Sequence, residues 1–271
     1  MEKRVHVLPG HLLTRPVKVA VVGAGGTGSH VLTGLAQLHT AMLALGHEGG
    51  LAVTAIDDDT VSEANVGRQM FYPSDVGMHK ATVLIHRINM AMGTNWKSKC
   101  VRIKGGNDLR DYDMVIGCVD NRAARKAIVD SLTGQDAYWL DLGNRLHEGQ
   151  VILGEFRRYA KKGKDVSVRL PHAADLFPEI VDASLESEDD TPSCSLAEAL
   201  EKQALFINRG MALYATNLLW ELFRYGRIEY HGVFVNLQNA RTAPLAIDPV
   251  AWERFGYQLQ PKKKRKVAKA A

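Results

Sequence analysis

A chain of 271 residues with 46% hydrophobic and 24% charged side chains can bury a full core, which excludes fibrous and disordered classes. No apolar run approaches the roughly 20 residues that a bilayer crossing needs, and Glu2, Lys3, Arg4 and His6 interrupt the amino terminus where a signal peptide would be apolar. Three cysteines, Cys100, Cys118 and Cys194, are too few for a disulfide framework and lack the C-x-x-C spacing of structural zinc, so a reducing, cytoplasmic location without zinc is expected.

The predicted elements begin with Val17–Val22, a β-branched run that ends in Gly23 as a buried parallel strand does. A helix follows, with Val31, Leu35, Leu38, Met42 and Leu45 on one face and Gly46 as its stop. Leu51–Ile56 reads as the next strand, Met78–Met90 as a helix with Ala81, Leu84, Ile85 and Ile88 inward, and Val101 with Ile103 as a third strand. Met114–Cys118, the helix Asn121–Leu132 and the strand Tyr138–Leu142 complete an alternation over the first 145 residues that predicts a doubly wound α/β sheet. Strands at Gln150–Arg157 and Tyr230–Asn236 and one long helix from Ser195 to about Phe223 follow without that alternation. The face of that helix is Leu200, Ala204, Ile207, Met211, Tyr214, Leu218 and Leu222. Between them, about residues 161–192 show little periodicity, as a functional loop or lid does. The chain is therefore expected to be one unit over 1–260, with a first half at 17–145 and a second at 146–260. A disordered basic tail at 261–271 completes it.

That tail, PKKKRKVAKAA, explains the formal charge of +4: it holds six of the 34 basic residues, leaving 28 against 30 acidic ones. The body therefore offers no broad nucleic-acid footprint. PKKKRKV resembles the nuclear localisation signal of a viral large T antigen. An import signal, an added terminus and a chance basic end remain open readings, and a nuclear location would follow only from the first.

Gly23-Ala24-Gly25-Gly26-Thr27-Gly28 fits G-x-G-x-x-G between a predicted strand and a predicted helix. Glycines there allow a tight turn, and the free N–H groups of the helix start face a phosphate with the positive dipole end behind them. A turn that binds nothing is the plain alternative. The acid Asp57 at the end of the next strand argues against it, since a carboxylate there is placed to accept ribose hydroxyls.

Asp57-x-Asp59-x-Val61, then Asn65-x-x-Arg68-Gln69, Lys80 and Cys118-x-Asp120-Asn121 follow in order. This set resembles the ThiF/MoeB/HesA superfamily of ubiquitin-activating-type adenylating enzymes, and the size and the TPSC segment look most like the ThiF-type family of the bacterial PRTRC system. The resemblance implies a Rossmann-like, mainly parallel sheet extended by antiparallel strands, with a crossover or lid loop. It implies that ATP and Mg²⁺ are bound by Gly23, Gly25, Gly26, Gly28, Asp57, Asp59, Asn65, Arg68, Gln69, Lys80 and Asp120. Asp57 would hold the ribose, with Asp59 in support of the site. Arg68 and Lys80 would neutralise triphosphate charge and stabilise the pentavalent phosphorus. Asn65 and Gln69 would add neutral donors, and Asp120 would hold Mg²⁺. Cys118 reads as a buried small residue.

Thr191-Pro192-Ser193-Cys194-Ser195 resembles the motif around the thioester-forming cysteine of ubiquitin-activating enzymes, 74 residues beyond Asp120. Ser195 and Glu198 fit a capping box, which would set Cys194 before a positive helix end and lower its pKa, while the acids from Glu179 to Asp190 would raise it. A structural cysteine in a helix cap is the alternative. The family's zinc clamp is missing, and only Arg4 and Arg15 are available as an N-terminal arginine for a partner subunit. The resemblance implies a ubiquitin-like protein and a conjugating-enzyme-like protein as partners, a homodimer, and no membrane.

Three other readings stay in view. A NAD-dependent oxidoreductase leaves Asn65, Arg68, Lys80 and Asp120 unexplained, and its acid would lie 29 residues beyond Gly28 rather than about 20 across the fingerprint. A nucleotide-binding interaction module would not need Arg68, Lys80 and Asp120 together. Activation of a small carboxylate, or sulfur transfer without a thioester, would tolerate loss of Cys194.

Overall fold

The computed structural model describes residues 4–158, 168–185 and 196–257. In chain order it runs β1 (His6–Val7), β2 (Val17–Val22), α1 (Gly26–Ala44), β3 (Leu51–Ile56), α2 (Lys80–Met92), β4 (Lys97–Lys99), β5 (Met114–Gly117) and α3 (Arg122–Leu132). Then come β6 (Ala137–Asn144), β7 (Glu148–Phe156), α4 (Ala173–Leu176), α5 (Leu196–Lys202), α6 (Ile207–Tyr225), β8 (Arg227–Ile228), β9 (Tyr230–Asn236), β10 (Arg241–Ala246) and α7 (Pro249–Glu253). Eight strands form one sheet in the order β10-β9-β7-β6-β5-β2-β3-β4, and β1 pairs with β8 apart from it.

Strands β6, β5, β2, β3 and β4 run parallel, while β7, β9 and β10 join antiparallel. The chain leaves β2 to one side for β3 and to the other for β5, so the C-terminal ends of β2 and β5 form a topological switch point, where crevices open in such sheets. The β-branched residues of β2 and β5 are fully buried or nearly so because helices cover both faces. α1 packs closely along α6, where a Cβ on Gly34 would fall 2.6 Å from Thr216. Val31, Leu35, Leu38 and Met42 of α1 face the core as their spacing predicts, whereas Leu45 is exposed.

Three expectations are corrected. The third strand lies at Lys97–Lys99, not at Val101 and Ile103. Buried Trp96, donating its indole N–H to the Leu51 carbonyl at 3.1 Å, fixes the register, and the edge position lets lysines form the strand without an apolar pattern. The long helix is two, α5 and α6, parted at residues 203–206 where the Ala204 amide donates to the Leu146 carbonyl. Leu200, expected on the buried face, is exposed, while Ile207, Met211, Leu218 and Leu222 are buried. The described part of the lid stretch, 168–185, is folded rather than structureless. Leu170, Ala173 and Leu176 are buried at three-residue spacing, and Arg169 pairs with Asp175 at 2.7 Å. Residues 159–167 and 186–195, with Cys194 and Ser195, and the tail 261–271 lie outside the described residues. None of the described helices is long and apolar enough to cross a membrane.

Candidate functional site

At the switch point the chain leaves β2 through Gly23, whose amide donates to the Ile56 carbonyl at 2.9 Å. Its φ of +90° and the carbonyl of Cys118, which a Cβ would approach to 2.6 Å, both require glycine. Gly28, one turn into α1, lies so close to the Gly23 carbonyl that any Cβ would overlap it. Gly25 caps α1, and Gly26 opens it beside the Asn208 side chain. The turn is therefore pressed against β5 on one side and α6 on the other, with the first amides of α1 at its mouth.

Asp57, at the end of β3, accepts from the Ala24 amide at 2.6 Å and from the Asp59 amide at 2.9 Å. Burial raises its pKa, and those two amides with the nearby Lys80 oppose the rise. Both carboxylate oxygens thus already shape the loop, so a ribose contact would use their remaining lone pairs. Lys80, almost fully buried at the start of α2, reaches Asp59 at 2.9 Å, whose carboxylate is exposed. Asn65 closes a turn: its Oδ1 accepts from the Ser62 amide at 2.9 Å and hydroxyl at 3.1 Å, which spends the oxygen and leaves the amide nitrogen as its donor.

Arg68 and Gln69 differ from these. The Arg68 Nε and the Gln69 Oε1 are buried without a hydrogen-bond partner, and Gln69 stands just under 4 Å from where a Cβ on Gly25 would be. Burial lowers the Arg68 pKa from its ordinary value, and the charge of Asp120 acts against that. Asp120 itself is exposed at the end of β5, contacted by the Asn121 amide at 3.3 Å, while Asn121 Oδ1 caps α3 by accepting from the Ala124 amide at 2.8 Å. Cys118 is partly buried against the core, and desolvation of its thiol with the nearby Asp141 pushes that thiol above the ordinary range, which suits an inert packing residue. Arg15, one of the two arginines near the amino terminus, is committed to Asp113 through two bonds of 2.6 and 2.7 Å.

Three side chains that the motif does not contain complete the wall. Gln203 accepts from the Arg68 Nη1 at 3.1 Å and from the Asn208 Nδ2 at 3.2 Å. Asn208 Oδ1 accepts from Thr27 at 2.8 Å and from Asn144 at 2.6 Å, and Gln203 donates back to Asn144 at 3.4 Å.

Unpaired buried polar atoms cost free energy unless a ligand meets them. The unpartnered Arg68 Nε–H, beside a buried lysine and backbone amides at a helix start, fits the phosphates of a nucleotide. The Gln69 Oε1, an acceptor, suits a hydroxyl or amine donor of the same ligand. Among the described residues no group of three or more His, Cys, Asp and Glu could hold a metal ion. The exposed carboxylate of Asp120 fits a cation such as Mg²⁺ that takes one protein carboxylate and phosphate oxygens.

The ThiF family profile matches residues 10–248. Among the curated proteins, the chain is 32% identical over 130 residues to the Adenylyltransferase and sulfurtransferase UBA4 of Yarrowia lipolytica, covering 46% of this chain and 30% of that protein. It is 28% identical over 157 residues to the Ubiquitin-like modifier-activating enzyme 5 of Branchiostoma floridae, covering 52% and 36%. The chain thus spans about a third of the length of these relatives. A solved structure of PaaA matches with a TM-score of 0.57 at 17% identity, over 86% of this chain and 73% of that one. E. coli MccB with ATP matches with a TM-score of 0.51 at 14% identity, over 85% and 64%. At such identities the two structures speak for the fold, a Rossmann-like α/β architecture.

Proposed function

The chain belongs to the ThiF family, and from that premise we propose that it is an adenylyltransferase that activates the C-terminal carboxylate of a ubiquitin-like protein at the expense of ATP. The observation that carries the reading is the convergence of the glycine turn, the buried Lys80 and the unpartnered Arg68 Nε–H at one place. The named relatives support it, one being an adenylyltransferase and the other a ubiquitin-like modifier-activating enzyme.

In this reading a carboxylate oxygen attacks the α-phosphorus as the bond to pyrophosphate breaks. The amides of Gly23 and Ala24 hold the turn to Ile56 and Asp57, and those from Gly25 to Gly28 at the start of α1 face the phosphates. Arg68 and Lys80 oppose the charge that grows on the oxygens around phosphorus, where fixed donors in a water-poor site act most strongly. Asp57 shapes the loop and receives the ribose, and Asn65 and Gln69 add neutral contacts. Asp59 holds the Lys80 ammonium in place. Mg²⁺ bound with the nucleotide would be held by Asp120 and would supply charge neutralisation.

The Cys194 thiolate then takes the acyl group, releasing AMP, and passes it to a conjugating-enzyme-like partner, as the PRTRC-type resemblance suggests. We propose residues 1–260 as one adenylation unit acting as a homodimer, with 261–271 as a tail outside it. The relative that carries sulfurtransferase in its name favours one second reading, in which the reaction stops at the adenylate and serves sulfur transfer without a thioester.

Intact mass after mixing with ATP, Mg²⁺ and a candidate ubiquitin-like protein tests this. A thiol-sensitive adduct lost in both Cys194→Ala and Asp120→Ala is expected. Partner-dependent pyrophosphate release that persists in Cys194→Ala, with no adduct on the wild type, would select the second reading. No partner-dependent release with any ubiquitin-like protein would reject adenylation of such tails.

A further inference from the structure

Arg15, Arg87, Arg125, Arg157 and Arg169 each hold a carboxylate within 3.2 Å. Arg68 is held differently. Its hydrogen bond goes to the neutral Oε1 of Gln203, 135 residues away, and Asp120 influences it only through space. A carboxylate at position 203 would have satisfied a half-buried guanidinium better, because charge-assisted bonds are roughly twice as strong as neutral ones. The amide fixes the guanidinium without cancelling its charge.

The orientation of that amide is set by its neighbours. Gln203 Oε1 meets two donors, Arg68 Nη1 and Asn208 Nδ2, while its Nε2 faces the Asn144 Oδ1. Turning the amide over would set donor against donor twice and acceptor against acceptor once. Asn144 and Asn208 are fixed in turn by their mutual bond and by the Thr27 hydroxyl. The polarity of the ring is therefore set at Arg68, which can only donate, and runs through Gln203, Asn144 and Asn208 to the Thr27 hydroxyl.

We propose that Gln203 is a positioning residue that holds Arg68 through a neutral acceptor, so that the guanidinium keeps its full charge for the polyphosphate. Asn144 and Asn208 lock the amide with its oxygen toward Arg68. The inference rests on the reading of Arg68 as a phosphate-side residue. It adds that the preference of the site for a triphosphate over a bare nucleoside depends on the charge at position 203. In Gln203→Glu, a side chain of the same size forms an ion pair with Arg68 and withdraws its charge from the ligand.

The test compares the dissociation constants of ATP and adenosine, measured by calorimetry on the full chain, for the wild type, Gln203→Glu, Gln203→Met and Arg68→Ala, with the melting temperature of each. Gln203→Glu is expected to weaken ATP by ~10-fold or more and to leave adenosine unchanged, with a melting temperature near that of the wild type, since the ion pair gained with Arg68 offsets the bond to Asn144 that is lost. Gln203→Met, which removes the acceptor without adding charge, is expected to weaken ATP less, and it stands in if the glutamate variant does not fold. A purely structural role would move adenosine and ATP together. An unchanged ratio in a folded Gln203 variant, while Arg68→Ala lowers it, overturns the proposal alone. A ratio that Arg68→Ala does not move overturns the phosphate-side reading and the proposal with it.

Discussion

Arg68 and Gln69 at the glycine turn and His231 on the antiparallel flank are buried in opposite ways. At the turn, Arg68 and Gln69 keep atoms without partners. On the flank, His231 is fully buried and both ring nitrogens are engaged: Nδ1 with the Leu153 carbonyl at 2.8 Å and Nε2 with the Trp252 indole N–H at 2.8 Å. His172, ahead of α4, accepts from the Asp175 amide at 3.2 Å and stacks on Phe156. The difference teaches what each region is for. A satisfied buried polar group holds a fold together. Unsatisfied atoms also occur at His6, Trp139 and Asp141, so it is the gathering of Arg68 and Gln69 beside the glycine turn and Lys80 that marks bonding capacity kept for something that arrives.

The largest expected effect breaks the turn. Gly28→Ala forces a Cβ into the Gly23 carbonyl, with Cys118 behind it, so the change should cost on the order of 3 kcal/mol and abolish nucleotide binding. Urea denaturation and ATP calorimetry check both, and a variant of wild-type stability would refute the close packing.

Acid should strike the flank next. Burial pushes His231 from 6.5 down to about 4, and His172 likewise. The unfolded chain takes these protons below pH 6.5 and the folded chain does not until about pH 4, so stability falls as pH falls through that window. For His231 alone the loss is about 3 kcal/mol. His231→Leu should flatten the dependence in urea titrations, and a slope that is unchanged would count against the burial argument.

Arg68→Ala sharpens the contrast from the other side. It should weaken ATP by ~10-fold or more yet shift stability by about 1 kcal/mol or less, because its partner is a neutral amide. Parallel melting and binding curves separate the two quantities. The smallest effect belongs to Cys118. Its buried thiol, held above the ordinary range, should resist iodoacetamide at pH 7 in the folded chain while exposed Cys100 is alkylated, as peptide mass mapping would show.

Much of the turn was legible in the residues themselves. Gly23 to Gly28, Asp57 and Asp120 follow the ends of strands whose apolar runs mark them, and Lys80 opens the helix α2, so order along the chain translates directly into position at the switch point. Gln203, Asn144 and Asn208 were not legible, because amides carry no spacing pattern and their contacts join residues 59 and 135 positions apart. The break between α5 and α6 left one trace, the four consecutive apolar residues Ala204 to Ile207, which no single helical face accommodates. The lysine-bearing edge strand β4 shows the converse: backbone pairing with β3 suffices there, and the side chains carry no pattern. The reading of Cys194 rests on residues around it that lie outside the described structure.

The bond from Thr27 to Asn208 spans 181 residues. During synthesis, the glycine turn emerges early, but its far wall is translated only when most of the chain has left the ribosome. Until α6 docks against α1, the first half can form its parallel strands locally and still lack the ring that orients Arg68. On the proposed reading, nucleotide capture waits for α6 to dock, and fragments truncated before residue 208 should remain blind to ATP however well their sheet has folded.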